Sequence, residues 1–169
     1  MPNIDETIST MLSHDEIPEL LAREKVLAVI KSLPVGQEIP WVLGADTIIS
    51  YNGKLYGKPQ DQDEAFSFLK DFQGNTHTIL TALVLYNGKT KLTTSKLCKT
   101  QVTFSAMTDE EIQWYIDTGE WHGAAGGYRI QSLASMFIKH IDGSYSGAIG
   151  LPISELYDIL TEQGYKILE

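Results

Sequence analysis

THTILTALVLY at residues 76–86, NG at 87–88 and KTKLTTSKLCKTQVTF at 89–104 form two runs rich in Thr, Val, Leu and Ile around an Asn-Gly pair. β-Branched residues suit a pleated surface, and Asn-Gly supplies the backbone conformations of a tight hairpin. The pattern predicts two long antiparallel strands, Thr76–Tyr86 and Lys89–Phe104, as the centre of the fold. Working back toward the N-terminus, VLGADTII at 42–49 belongs to an apolar run from Trp41 that reads as a buried strand broken by Gly44, Ala45, Asp46 and Thr47. Asn52-Gly53 marks another hairpin turn behind it.

Helical signals surround these strands. Ser13 and Glu16 have capping-box spacing, and Leu20, Leu21, Val26, Leu27 and Ile30 recur at helical intervals, predicting a helix to about Ser32. Asp63–Phe72 carries Ala65, Phe66 and Leu69 on one face and is followed by Gly74. Thr108 and Glu111 form a second capping box before Ile112, Trp114, Tyr115 and Ile116, with Gly119 as terminator. Tyr128–Gln131 and Ala134–Ile141 read as strands, Gly143–Gly150 as a glycine-rich connection, and Pro152 as the start of a helix to about Gln163. Met1–Leu12 reads as an irregular arm. Helices, long hairpins and one buried strand indicate an α/β or mixed α+β domain over residues 1–169, with no repeat or linker to divide it.

At 169 residues, 43% hydrophobic and 21% charged, the chain has the composition of one globular domain. Thirteen Lys and Arg against 22 Asp and Glu leave a net charge of −9, which argues against a nucleic-acid polymer or an anionic membrane as partner. A small anionic ligand remains compatible with that balance where a divalent metal and local cations reverse the field. Cys98 is the one cysteine, so no intrachain disulfide forms, and a reducing, cytoplasmic setting is expected. No run reaches the roughly 20 apolar residues of a membrane span.

Asp46 interrupts an apolar strand, where an unpaired carboxylate is costly. It reads either as a metal ligand or base acting on water, or as a side chain bonded to local amides. Lys58, in the loop Tyr56-Gly57-Lys58-Pro59, either faces a phosphate or is a solvated surface charge. Lys25 sits in the cluster Arg23-Glu24-Lys25 with the same two readings. The glycines at 123, 126 and 127 permit close approach of backbone to a ligand, or shape an irregular turn. Cys98 and the scattered His14, His77, His122 and His140 read as structural or surface residues, with no helical zinc spacing among the histidines.

Taken together, Asn3-Ile4-Asp5-Glu6-Thr7, Leu21-Ala22-Arg23-Glu24-Lys25, Val42-Leu43-Gly44-Ala45-Asp46-Thr47, Gly57-Lys58-Pro59 and Gly126-Gly127-Tyr128-Arg129-Ile130-Gln131 occur in an order and spacing that resemble the Maf-like nucleotide pyrophosphatases. Gly143-Ser144-Tyr145 and Gly150-Leu151-Pro152 continue the likeness over nearly the whole chain. The resemblance implies a fold of the Maf and inosine-triphosphate-pyrophosphatase type, with a two-lobed cleft, often as a homodimer. It also implies hydrolysis of the α–β phosphate bond of nucleoside triphosphates, with Mg2+ or Mn2+, to monophosphate and pyrophosphate. On matching positions, Asp46 and Glu6 become metal-binding and water-activating carboxylates, Lys25 and Lys58 neutralise phosphate charge, and Gln131 completes the nucleotide site. Tyr128-Arg129-Ile130-Gln131 looks like the branch acting on dTTP and UTP. The pattern departs from the family in three ways: a strand and an arginine-bearing phosphate loop expected ahead of Glu6 are missing from the N-terminus, Arg23 and Arg129 are the only arginines so that no other pair replaces the missing donors, and Ala124 stands where Lys is common and Ser132 where Gly is. A shortened domain with impaired turnover is therefore expected, and the alternative is a non-catalytic nucleotide-binding or regulatory homologue.

Overall fold

The computed structural model describes residues 12–34, 36 and 41–167. Helix α1 (Glu16–Ser32) leads into β1 (Trp41–Tyr51), β2 (Lys54–Tyr56), α2 (Gln62–Phe72), β3 (Thr76–Asn87), β4 (Leu92–Phe104) and α3 (Asp109–Asp117). Two 3-10 turns (Ala125–Gly127 and Leu133–Phe137) precede β5 (Ile138–Asp142), α4 (Tyr145–Ile149) and α5 (Ile153–Glu162). The strands form one antiparallel sheet in the order β2-β1-β3-β4-β5, with the predicted β3–β4 hairpin at its centre. This is a mixed α/β architecture.

Strand periodicity divides the sheet into two working faces. Gly44 points at α1, where an added Cβ would lie 2.6 Å from Val26 Cγ2 and 2.8 Å from the Ala22 carbonyl. Ala22 and Val26 complete that contact with Val42, Ala82 and Val84. On the opposite face, Ile49, Ile79, Val102 and Phe104 join Leu69 and Phe72 of α2 and Ile112, Tyr115 and Ile116 of α3 in the larger core. On the same face Leu83 and Leu85 form a separate cluster with Ile159 of α5. β2 pairs only with Ile49, Ser50 and Tyr51. Among the described residues, the outer edge of β1 from Trp41 to Ile48 therefore carries no strand.

Several expected local features take a different form. β1 runs unbroken through Gly44–Thr47, because register with Leu83, Ala82 and Thr81 of β3 overrides the weak strand preference of Gly, Ala and Asp. The central hairpin turns over Gly88–Lys91, four residues rather than two: Asn87 Oδ1 accepts from the amides of Lys89 and Thr90, and Lys91 takes the positive φ. Ser13 does not cap α1. Its amide and hydroxyl both bond the Glu16 carboxylate in a turn ahead of the helix, whose N-cap is Asp15. Tyr128–Gln131 forms no strand, since Gly126 and Gly127 hold positive φ and no neighbouring strand faces the segment. Only Ile138–Asp142 of the expected strand 134–141 and its flank pairs with β4; Leu133–Phe137 coils into a 3-10 turn. The glycine-rich connection contains helix α4, capped where Ser144 Oγ accepts from the Gly147 amide. The arm 1–11, with Glu6, lies outside the described residues.

Candidate functional site

A cavity of about 550 Å³ wraps the outer edge of β1 and is lined by Lys25, Asp46, Lys58 and Gln131. Four segments far apart in sequence thus meet at one place. Helix α1 supplies Lys25, whose ammonium donates to Asp46 Oδ1 at 2.5 Å and to the Ala45 carbonyl at 3.0 Å. The glycine at 44 permits that arrangement by letting α1 lie against β1 without an intervening side chain. Asp46 shares the α1-facing side of the strand with Gly44 and is shielded from solvent more than its partner, with side-chain exposures of 14% and 52% for Asp46 and Lys25.

The cavity rim comes from two loops tied together. The Gly126 amide donates to the Gly57 carbonyl at 2.8 Å, which fixes the Lys58 loop against the glycine loop. Gly126 has φ +68°, and a Cβ there would stand 2.3 Å from Ile49 Cδ1, so this crossing requires glycine twice over. Arg129 is a strap within the same loop: Nε donates to the Glu120 carbonyl at 3.0 Å and Nη2 to the His122 carbonyl at 2.6 Å. Its own amide bonds the Tyr115 hydroxyl. Lys58 and Gln131 are exposed, and Lys58 forms no hydrogen bond or ion pair among the described residues.

On the other side of β1 the wall is apolar, built from Ile49, Ile79, Ala148 and Ile149, with Thr47 as its polar side chain. Thr47 Oγ1 lies 2.9 Å from Thr81 Oγ1, and Thr81 Oγ1 donates to the Gly147 carbonyl at 2.8 Å. Tyr128 is buried but also lines the cavity; its hydroxyl lies 2.6 Å from His77 Nε2, and Phe72 and Phe104 enclose the imidazole. Burial pushes the His77 pKa down to about 3 and the Tyr128 pKa far up. Sequence reading missed Thr47, Thr81 and the His77–Tyr128 pair as site-supporting groups. The available signal was strand alternation, which sets Thr47 and Ile49 opposite Asp46 on β1.

Among the described residues no histidine and no cysteine lines the cavity. His14 bonds Ser50, the His122 Nδ1–H donates to the Gly119 carbonyl, and His140 is exposed. Cys98 is buried beneath Gly147 with its thiol pKa raised chiefly by desolvation. Among the described residues no three His, Cys, Asp or Glu side chains gather around one point, and Asp46 is the carboxylate on the cavity wall. That donor set fits a hard divalent cation of the Mg2+ kind, which takes one or two protein carboxylates and completes its shell with water and substrate phosphates. It does not make an all-protein cage.

The chain matches the family model described as Maf-like protein over residues 1–163. It is 38% identical over 165 residues to a dTTP/UTP pyrophosphatase of Pelotomaculum thermopropionicum, an alignment spanning 98% of this chain and 84% of the relative. It is 40% identical over 162 residues to a dTTP/UTP pyrophosphatase of Shewanella denitrificans, across 94% of this chain and 79% of the relative. A third such protein, from Thermoanaerobacter sp. strain X514, is 41% identical over 143 residues, covering 85% and 73% of the two chains. With four of the matched segments converging on one cavity, the chain belongs to the Maf family.

Proposed function

We propose that this protein is a nucleoside triphosphate pyrophosphatase that hydrolyses dTTP and UTP to the monophosphate and pyrophosphate. The observation that carries this reading is the meeting of Lys25, Asp46, Lys58 and Gln131, from four separate segments, around one cavity. Relatives named dTTP/UTP pyrophosphatase support the substrate class. The reaction adds one water across the α–β anhydride, so it needs a positioned water and compensation of the charge developing on the leaving pyrophosphate. Lys25 and Lys58 stabilise that charge, Gln131 orients the nucleotide, and Asp46 accepts the proton of the attacking water at a carboxylate oxygen. Asp46, with Glu6, is the residue set that would hold Mg2+ or Mn2+, and the ion supplies charge neutralisation and a more acidic bound water.

Lys25 plays two parts in this reading. Its ammonium neutralises Asp46 and lines the cavity, where it would be available to a phosphate if a divalent cation held the carboxylate. The proposal includes a homodimer working in the cytoplasm without nucleic-acid or membrane partners. Among the described residues no helix is long and apolar enough to cross a membrane.

The test is a panel of nucleoside triphosphates incubated with the protein and Mg2+ or Mn2+, with pyrophosphate and monophosphate measured separately from free phosphate. Equimolar pyrophosphate and monophosphate from dTTP and UTP is the expected result. Binding without product would instead establish the non-catalytic nucleotide-binding reading, which the single cavity carboxylate among the described residues favours. Light scattering on the same preparation reads the oligomeric state.

A further inference from the structure

The hydroxyls of Thr47 and Thr81 form a chain whose direction can be counted. The Gly147 carbonyl only accepts, so the Thr81 proton is committed to it at 2.8 Å. The 2.9 Å contact between Thr47 and Thr81 must then be donated by Thr47. Thr81 is fully buried, and no solvent competes for its proton. Thr47 consequently meets the cavity with lone pairs alone.

The position of Thr47 makes this directionality chemically selective. Asp46 and Lys25 place charge on the α1 side of β1, which suits phosphate, whereas Thr47 sits on the opposite side among Ile49, Ile79 and Ile149. A flat, largely apolar nucleobase matches the second wall, and a fixed acceptor there selects for a base that offers an N–H. We propose that Thr47 is a specificity-determining residue that accepts a hydrogen bond from the imide N3–H of uracil or thymine, with Thr81 as the positioning residue that fixes its direction. Cytosine in the same pose turns a lone pair at N3 toward the lone pairs of Thr47 and is rejected. This inference rests on the cavity being a nucleotide site and adds which atom reads the base.

The experiment compares kcat/KM for UTP, CTP and N3-methyl-UTP in wild type, Thr47→Ala, Thr47→Ser, Thr81→Val and Thr81→Ser. Wild type is expected to favour UTP over both CTP and N3-methyl-UTP by about tenfold or more, the scale of one buried polar group left without its partner. Thr47→Ala brings the UTP-to-CTP ratio close to one, and Thr47→Ser restores it. Thr81→Val frees the Thr47 proton to point at the base, so CTP gains relative to UTP, and Thr81→Ser reverses this. Should Thr81→Val fail to fold in a thermal melt, the methylated substrate and the Thr47 pair still decide the matter. An unchanged UTP-to-CTP ratio in Thr47→Ala, or equal use of UTP and N3-methyl-UTP by wild type, overturns the proposal. Sensitivity of Thr47→Ala to removal of a sugar hydroxyl with that ratio unchanged assigns Thr47 to the sugar and overturns it too. If wild type hydrolyses no triphosphate, the pyrophosphatase reading fails on its own, and calorimetric binding of UMP against CMP to the same variants tests Thr47 independently.

Discussion

Asp46 and Lys25 neutralise each other at 2.5 Å, yet the ammonium is half exposed, so the pair adds little to stability. Their importance is therefore expected in catalysis. Asp46→Asn should lower metal-dependent pyrophosphate release about a hundredfold or more, with the far-ultraviolet circular dichroism spectrum unchanged. Undiminished release in this variant, or in excess chelator, removes Asp46 from the mechanism. Lys25→Ala and Lys58→Ala should weaken triphosphate binding more than monophosphate binding, while thermal stability shifts by less than about 1 kcal/mol. Equal affinities for both ligands in wild type and variants would return the lysines to solvated surface charges.

Close packing of elements, more than any one charge, sets the cavity's dimensions. Helix α1 approaches β1 through Gly44, and the glycine loop crosses Ile49 through Gly126. Gly126→Ala combines a φ of +68° with a collision at 2.3 Å, and should destabilise the fold by about 3 kcal/mol or more while impairing turnover. Gly123→Ala also strains a positive φ, at +70°, but meets nothing within 4 Å, and should cost about 1 kcal/mol. Denaturant titration of the two variants separates crowding from backbone strain. Equal losses would show that the Ile49 contact relaxes without penalty.

The buried His77 gives the whole molecule a calculable response to acid. Its pKa lies near 3 when folded against 6.5 ordinarily, so between those values the unfolded chain binds the extra proton. Folding stability attributable to this group is complete above about pH 6.5 and falls as pH drops toward 3, by up to about 1.4 kcal/mol per pH unit. His77→Phe cannot take up that proton in either state. At pH 7 the variant should be less stable by about 1 to 3 kcal/mol, because the Tyr128 hydroxyl loses its partner. The difference should close by about 2 kcal/mol on acidification to pH 5. Parallel melting curves for the two proteins from pH 7 to 5 would contradict the assignment of a neutral, proton-excluding imidazole.

Local chemistry sufficed for features whose partners are near in sequence. The central β-hairpin, the Asn52-Gly53 turn, the Thr108–Glu111 capping box and the helices at 62–72 and 153–162 follow from propensity and short-range hydrogen bonds. Family-like spacing also named Lys25, Asp46, Lys58 and Gln131 before their convergence was visible. Features that depend on distant contacts were not legible in this way. Gly44–Asp46 became strand because β3 lies beside it, and Tyr128–Gln131 stayed irregular because no strand does. The direction of the Thr47 hydroxyl is set by Thr81 and the Gly147 carbonyl, 34 and 100 positions further along the chain. Composition and periodicity specify what each residue prefers locally, whereas the orientation of a hydroxyl, the close approach of a helix and the shape of a cavity arise only when remote backbone groups compete for the same space and the same protons.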